Sequence, residues 1–294
     1  PMLRVVSCGS TSRFMLRSSV MAFVTAATLF NPGHASAQPA GLGSSSRLSQ
    51  SLVTPVAVFG PDDRQPIPSR HAGLMQKIGT LTLDGSTICT AFCVAPDLVA
   101  TASHCLFGTA GSQKVSLTKF AFKVGTAARR QTSRIAGASD AEAHENVRSG
   151  TENLNLSPPI DAANDWAVAR LAQPVCRAGG LPLSEQSRDG ARDAASAGKL
   201  FQAAMHRDLS PTKIVVGRPC AIKTELPEAS AAMIARDFAD PESIILHDCD
   251  TGPGSSGSPM LIDGAEGPFG IRNAPAVLAQ HLGKTLRLLD RGGA

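Results

Sequence analysis

The stretch Ala91-Phe-Cys-Val-Ala-Pro-Asp-Leu-Val-Ala-Thr-Ala-Ser-His-Cys105 holds two apolar runs, 91–95 and 98–102, separated by Pro96-Asp97. Proline presets φ for a turn and aspartate tolerates turn geometry, so the pair predicts a tight turn and the runs a β-hairpin. The second strand delivers His104 at its end, and Cys93 and Cys105 flank that position. A disulfide between them would staple the strands, typically contributing about 2–4 kcal/mol. A general base needs such a hold, because misplacement by about 1 Å can cost roughly a hundredfold in rate. Taken alone, however, a histidine beside a cysteine is more often structural.

Outward from the hairpin the texture repeats. Short apolar or alternating runs at 78–83, 119–124, 166–171, 213–216, 243–247, 258–262 and 277–280 predict further strands. Many short strands at this spacing predict an all-β fold, a sandwich or barrel. Residues 126–164 and 177–208 are polar, Ala-rich and weakly patterned, and predict long surface loops carrying a short helix each.

Composition narrows the function. The 294 residues are 43% apolar and 18% charged, ordinary for a folded domain. The net charge of +4 is small and dispersed, and there are one Trp and no Tyr, which argues against a nucleic-acid partner. Arg13 and Arg17 precede an apolar run over 20–30, then Asn31-Pro-Gly33 and Ala35-Ser-Ala37. That order predicts a signal peptide over 1–37 and a secreted or periplasmic product. The run falls well short of the ~20 residues a spanning helix needs, so no membrane anchor is expected after cleavage. Residues 38–55, rich in Ser, Gly, Ala and Gln, read as a leader or short propeptide, and 56–294 as the folded domain.

Export changes how the cysteines read. Cleavage removes Cys8 and leaves Cys89, Cys93, Cys105, Cys176, Cys220 and Cys249, an even set in an oxidising compartment. Spacing alone does not choose among their possible pairings. Cys89 and Cys93 could form half of a zinc site, but no second ligand pair follows at the usual distance, so no metal or other cofactor is expected.

Two more motifs carry chemistry. In Asn164-Asp-Trp-Ala-Val-Ala-Arg-Leu171, Asp165 heads an apolar strand, where its carboxylate could orient a histidine. In Cys249-Asp-Thr-Gly-Pro-Gly-Ser-Ser-Gly-Ser-Pro259, glycines and a proline surround Ser256. Such a backbone turns tightly and could aim the amides of Gly254 and Ser256 at one point, an oxyanion hole. A Gly/Ser linker fits less well, because the segment lies between strand-like runs and directly follows a cysteine.

His, Asp and Ser in this order resemble the trypsin-like, chymotrypsin-fold serine peptidases over residues 56–285. Thr101-Ala-Ser-His-Cys105 is similar to that family's histidine box, Asp165–Leu171 to its aspartate strand, and Gly254–Pro259 to its serine box in the bacterial form. The resemblance implies two antiparallel six-stranded β-barrels with the site in the cleft between them. It also implies a His104, Asp165, Ser256 triad acting on a polypeptide substrate, in a monomer. It suggests Cys93–Cys105 and Cys220–Cys249, which leaves Cys89–Cys176. Ser255 stands where the animal enzymes carry an Asp that pairs with a freed N-terminal ammonium, which puts that activation route in doubt. The departure is similar to secreted bacterial members, including glutamyl endopeptidases. Thr251 and His281 resemble the residues with which that branch binds an acidic P1 side chain. Asp250 falls where trypsin-like enzymes receive Arg or Lys. The acidic reading is the favoured one. Two rivals are a catalytically silent binding protein on the same fold and an esterase or transferase use of the acyl-enzyme. Met205-His-Arg-Asp-Leu209 imitates a kinase loop but lacks its downstream Asn and any phosphate loop.

Overall fold

The computed structural model describes residues 58–184, 188–223, 225–264 and 276–278. The expected signal peptide and the whole of the expected leader therefore lie outside the described residues, as does His281. Among the described residues no helix is long and apolar enough to cross a membrane.

In chain order the strands are β1 (Gln65–Pro66), β2 (Ile78–Leu83), β3 (Ser86–Ala95), β4 (Leu98–Thr101), β5 (Phe120–Val124), β6 (Gln131–Arg134), β7 (Val147–Ser149), β8 (Ala167–Arg170), β9 (Leu183–Ser184), β10 (Leu200–His206), β11 (Ser210–Val216), β12 (Met260–Ile262) and β13 (Ala276–Leu278). They form a seven-stranded sheet, β6-β5-β2-β3-β4-β8-β7, and a six-stranded one, β1-β11-β10-β12-β13-β9. All pairings are antiparallel except β13 with β9. The fold is mostly β and chymotrypsin-like, with curled antiparallel sheets and few, small helices. Each sheet has its own core, built on Leu81, Phe120 and Phe122 in the first and on Leu200, Met260 and Ile262 in the second. A third apolar cluster, with Ile78, Phe92, Leu98, Phe201 and Leu261, draws on strands of both sheets. Central strands are thus covered on both faces, so β10 is buried at every position.

The Pro96-Asp97 hairpin forms as expected, with Ala95 opposite Leu98. A second hairpin turns at Asp84-Gly85, where both residues have positive φ, the geometry that matches strand twist in a two-residue turn. The loop expected over 177–208 contains β10, and the strand expected over 243–247 is instead a 3-10 turn, Pro241–Ser243, followed by a single bridge at His247.

Two disulfide expectations are corrected. The bonds are Cys89–Cys105, Cys93–Cys176 and Cys220–Cys249, so Cys93–Cys105 and Cys89–Cys176 do not form. The register explains why. Cys93 faces Val99 and Phe92 faces Ala100, so the hairpin runs away from Cys93 and carries Cys105 back towards Cys89. After β8 the chain crosses the turn end of the hairpin, with the Cys176 amide donating to Pro96 O at 3.0 Å and the Leu181 amide to Cys93 O at 2.8 Å. That path brings Cys176 to Cys93.

Candidate active site

The antiparallel pairing of β4 with β8 places Thr101 opposite Ala167. Residues just after Thr101 and just before Ala167 therefore emerge at the same end of the sheet. His104 opens a short helix there, His104–Phe107, and Asp165 follows a 3-10 turn, Ala162–Asn164. The Asp165 carboxylate is only 4% exposed and accepts three hydrogen bonds. Ser103 Oγ and the His104 amide donate to Oδ1, each at 2.9 Å, and His104 Nδ1 donates to Oδ2 at 2.6 Å. A buried carboxylate that accepts three hydrogen bonds is held rigidly in place, and the His104 ring with it. With the proton on Nδ1, the Nε2 lone pair is left for a substrate-side proton, and the His104 side chain is 17% exposed. The Cys89–Cys105 disulfide fixes the helix at the residue beside His104.

Ser256 sits on a loop that the strands hold from below. Turn hydrogen bonds run from the Ser255 amide to Gly252 O and from the Ser258 amide to Ser255 O, both 3.0 Å. Gly254 and Gly257 have φ of +95° and +79°, conformations that L side chains rarely adopt. A Cβ at Gly257 would lie 2.2 Å from Thr101 Oγ1 and 2.3 Å from Thr90 O, so the loop packs directly on the strands that lead to His104. Thr90 of β3 acts as a rivet. Its amide donates to Ser256 O and its hydroxyl to Gly254 O, both at 2.9 Å, while that hydroxyl accepts from the Met205 amide of β10. Among the described residues, the amides of Gly254 and Ser256 donate to nothing, and no hydrogen bond joins Ser256 Oγ to His104.

The expected specificity residues fare differently. Thr251 is buried in the same loop. Asp250 is 6% exposed, and its carboxylate accepts from the Phe59 amide at 2.8 Å and the Asp63 amide at 3.4 Å. Both oxygens of this expected substrate-binding acid thus accept from the segment 59–63. Next to it, Arg64 lies between Asp62 and Asp208 at 2.8 and 2.7 Å and touches His206 Nδ1 at 3.2 Å. Burial, then the Arg64 charge, push the His206 pKa down to about 4. Sequence reasoning missed Thr90, Ser103 and Arg64. Ser103 stood inside a quoted motif and Arg64 at the end of the stretch 56–64, which resembles the start of the bacterial members' mature domains, whereas nothing in the sequence singled out Thr90.

Cys89, His104 and Cys105 place ligand atoms within 4.8 Å of one another. The two sulfurs are bonded to each other, so neither can supply the thiolate a metal site would use.

A sequence profile of the trypsin-like peptidase domain matches residues 89–269. No curated protein sequence matches. A solved structure described as Glu endopeptidase in complex with MPD is similar at 17% identity and a TM-score of 0.48, over 80% of this chain and 98% of that one.

Proposed function

The chain belongs to the trypsin-like peptidase family, and from that premise we propose that it is an exported serine endopeptidase working through an acyl-enzyme. The observation that carries this reading is the threefold-held Asp165 carboxylate on His104 Nδ1, beside a serine loop whose Gly254 and Ser256 amides donate to none of the described residues. His104 Nε2 removes the Ser256 Oγ proton as the serine attacks the scissile carbonyl carbon. The imidazolium is stabilised by Asp165, and the oxyanion is received by the Gly254 and Ser256 amides. The imidazolium then gives its proton to the leaving amine, and water hydrolyses the ester by the same relay in reverse. The Ser256–His104 hydrogen bond is the contact that closes on substrate binding, as nucleophile–base contacts commonly do. Three disulfides suit an oxidising compartment and support export.

We propose further that the P1 side chain is acidic. The Phe59 and Asp63 amides compete with a basic P1 residue for the Asp250 carboxylate, and Thr251 with His281 supply the recognition pair for an acidic one. A P1 peptide library tests this, with Ser256→Ala as the blank. Preferred cleavage after Glu or Asp is the expected result, and preferred cleavage after Arg or Lys would overturn it.

A further inference from the structure

The loop carrying Ser256 needs a support that fixes two amides in a strained backbone, and the animal ion pair for this purpose has no counterpart at Ser255. The structure points elsewhere. The segment Phe59–Arg64 runs beneath the loop and is tied down at Phe59, Asp63 and Arg64. Phe59 and Asp63 donate their amides to Asp250. Asp63 accepts from the Arg218 amide and from Arg218 Nε, both at 2.9 Å. The Arg64 side chain, 3% exposed, is fixed by Asp62 and Asp208. Its guanidinium lies directly against Gly252, where a Cβ would come within 2.7 Å of Nη1. Gly252 O in turn accepts the Ser255 amide that closes the turn.

We propose that Asp250 is a positioning residue for the oxyanion loop. It clamps the Phe59–Arg64 segment so that the Arg64 guanidinium props Gly252 and thereby orients the Gly254 and Ser256 amides. Both donors to Asp250 are interior amides, so the loop is set without the ammonium of a freshly cut N-terminus. The inference rests on the reading of Ser256 as nucleophile. It concerns catalysis rather than folding, because the segment is a brace outside both sheets that ends where β1 begins.

The test compares Phe59→Ala, Phe59→Pro and Asp250→Asn in the disulfide-intact full chain, reading kcat and KM on one peptide and the rate of fluorophosphonate labelling at Ser256. The Phe59 side chain is 55% exposed, so Phe59→Ala keeps the amide and should keep kcat. Set against Phe59→Ala, Phe59→Pro further removes the N–H and fixes φ, and it should lower kcat and the labelling rate roughly tenfold, with KM little changed. Asp250→Asn should lower kcat by about ten- to a hundredfold in the same way. If Asp250→Asn does not fold, Phe59→Pro alone decides. Wild-type kcat in Phe59→Pro would overturn the clamp, as would a loss in Asp250→Asn that appears only as raised KM for basic P1 substrates. A folded wild-type chain that neither labels nor turns over would instead overturn the peptidase reading itself, and the clamp with it.

Discussion

Gly257 and Gly264 share a left-handed backbone, with φ of +79° and +72°, but not the same surroundings. A Cβ at Gly264 meets nothing within 4 Å, whereas one at Gly257 meets the Thr101 hydroxyl and the Thr90 carbonyl. Gly264→Ala should therefore cost only the left-handed penalty, about 1–2 kcal/mol, with turnover kept. Gly257→Ala must also push the serine loop off the strands below it and should lower kcat by roughly a hundredfold or more, since about 1 Å of displacement suffices. Steady-state kinetics beside thermal melts separate the two, and equal kinetics would contradict the packing argument. At this scale the meeting of His104 with Asp165 was legible, because each sits in a short motif whose residue types have few other uses together. Thr90 and Arg64 were not, since a rivet or a prop is defined by what lies across from it in space.

Among the elements, the β3–β4 hairpin was readable from Pro96-Asp97, and the β2–β3 turn carries an equally plain signal in Asp84-Gly85. Strand β10, Leu-Phe-Gln-Ala-Ala-Met-His, escaped because alanines and a glutamine have weak strand preference and burial on both faces erases alternation. The cysteine pairing failed for a related reason: a hairpin register must be carried past its last paired residue to see that Cys105 returns to Cys89. That bond closes a short loop around the strand that delivers His104. Replacing Cys89 and Cys105 together by Ala should lower stability by about 3 kcal/mol, and urea unfolding measures it. Removing Cys93 and Cys176, which close a longer loop, should cost somewhat more by the same chain-entropy argument. An unchanged midpoint in the first variant would mean that packing alone holds the His104 helix.

For the molecule as a whole, acid should be destabilising well above the usual carboxylate range. Desolvation holds His206 and His247 to about 4, against an ordinary value of 6.5. Their folded pKa is depressed, so the native state binds fewer protons than the unfolded chain. The stability they contribute is fully present above about pH 6.5 and is lost as pH falls towards 4. Asp62, lowered to about 2 first by its hydrogen bond to Arg64, extends the loss in the same direction at lower pH. Melting temperatures at pH 7, 5.5 and 4 should fall steadily. His247→Gln, which can still accept the Cys249 amide, should flatten the slope; a flat wild-type profile would contradict the assignment. The whole-molecule architecture was legible as all-β from strand spacing. The apolar cluster that draws on both sheets was not, because it joins residues far apart in sequence.

The central claim is an activated serine, and fluorophosphonate labelling of the folded, disulfide-bonded protein tests it most directly, with the modified residue located by mass spectrometry. Adduct on Ser256 alone, abolished in His104→Ala, is the predicted result. A folded protein left unmodified, or modified equally with His104 removed, would contradict it and leave a silent scaffold on a peptidase fold.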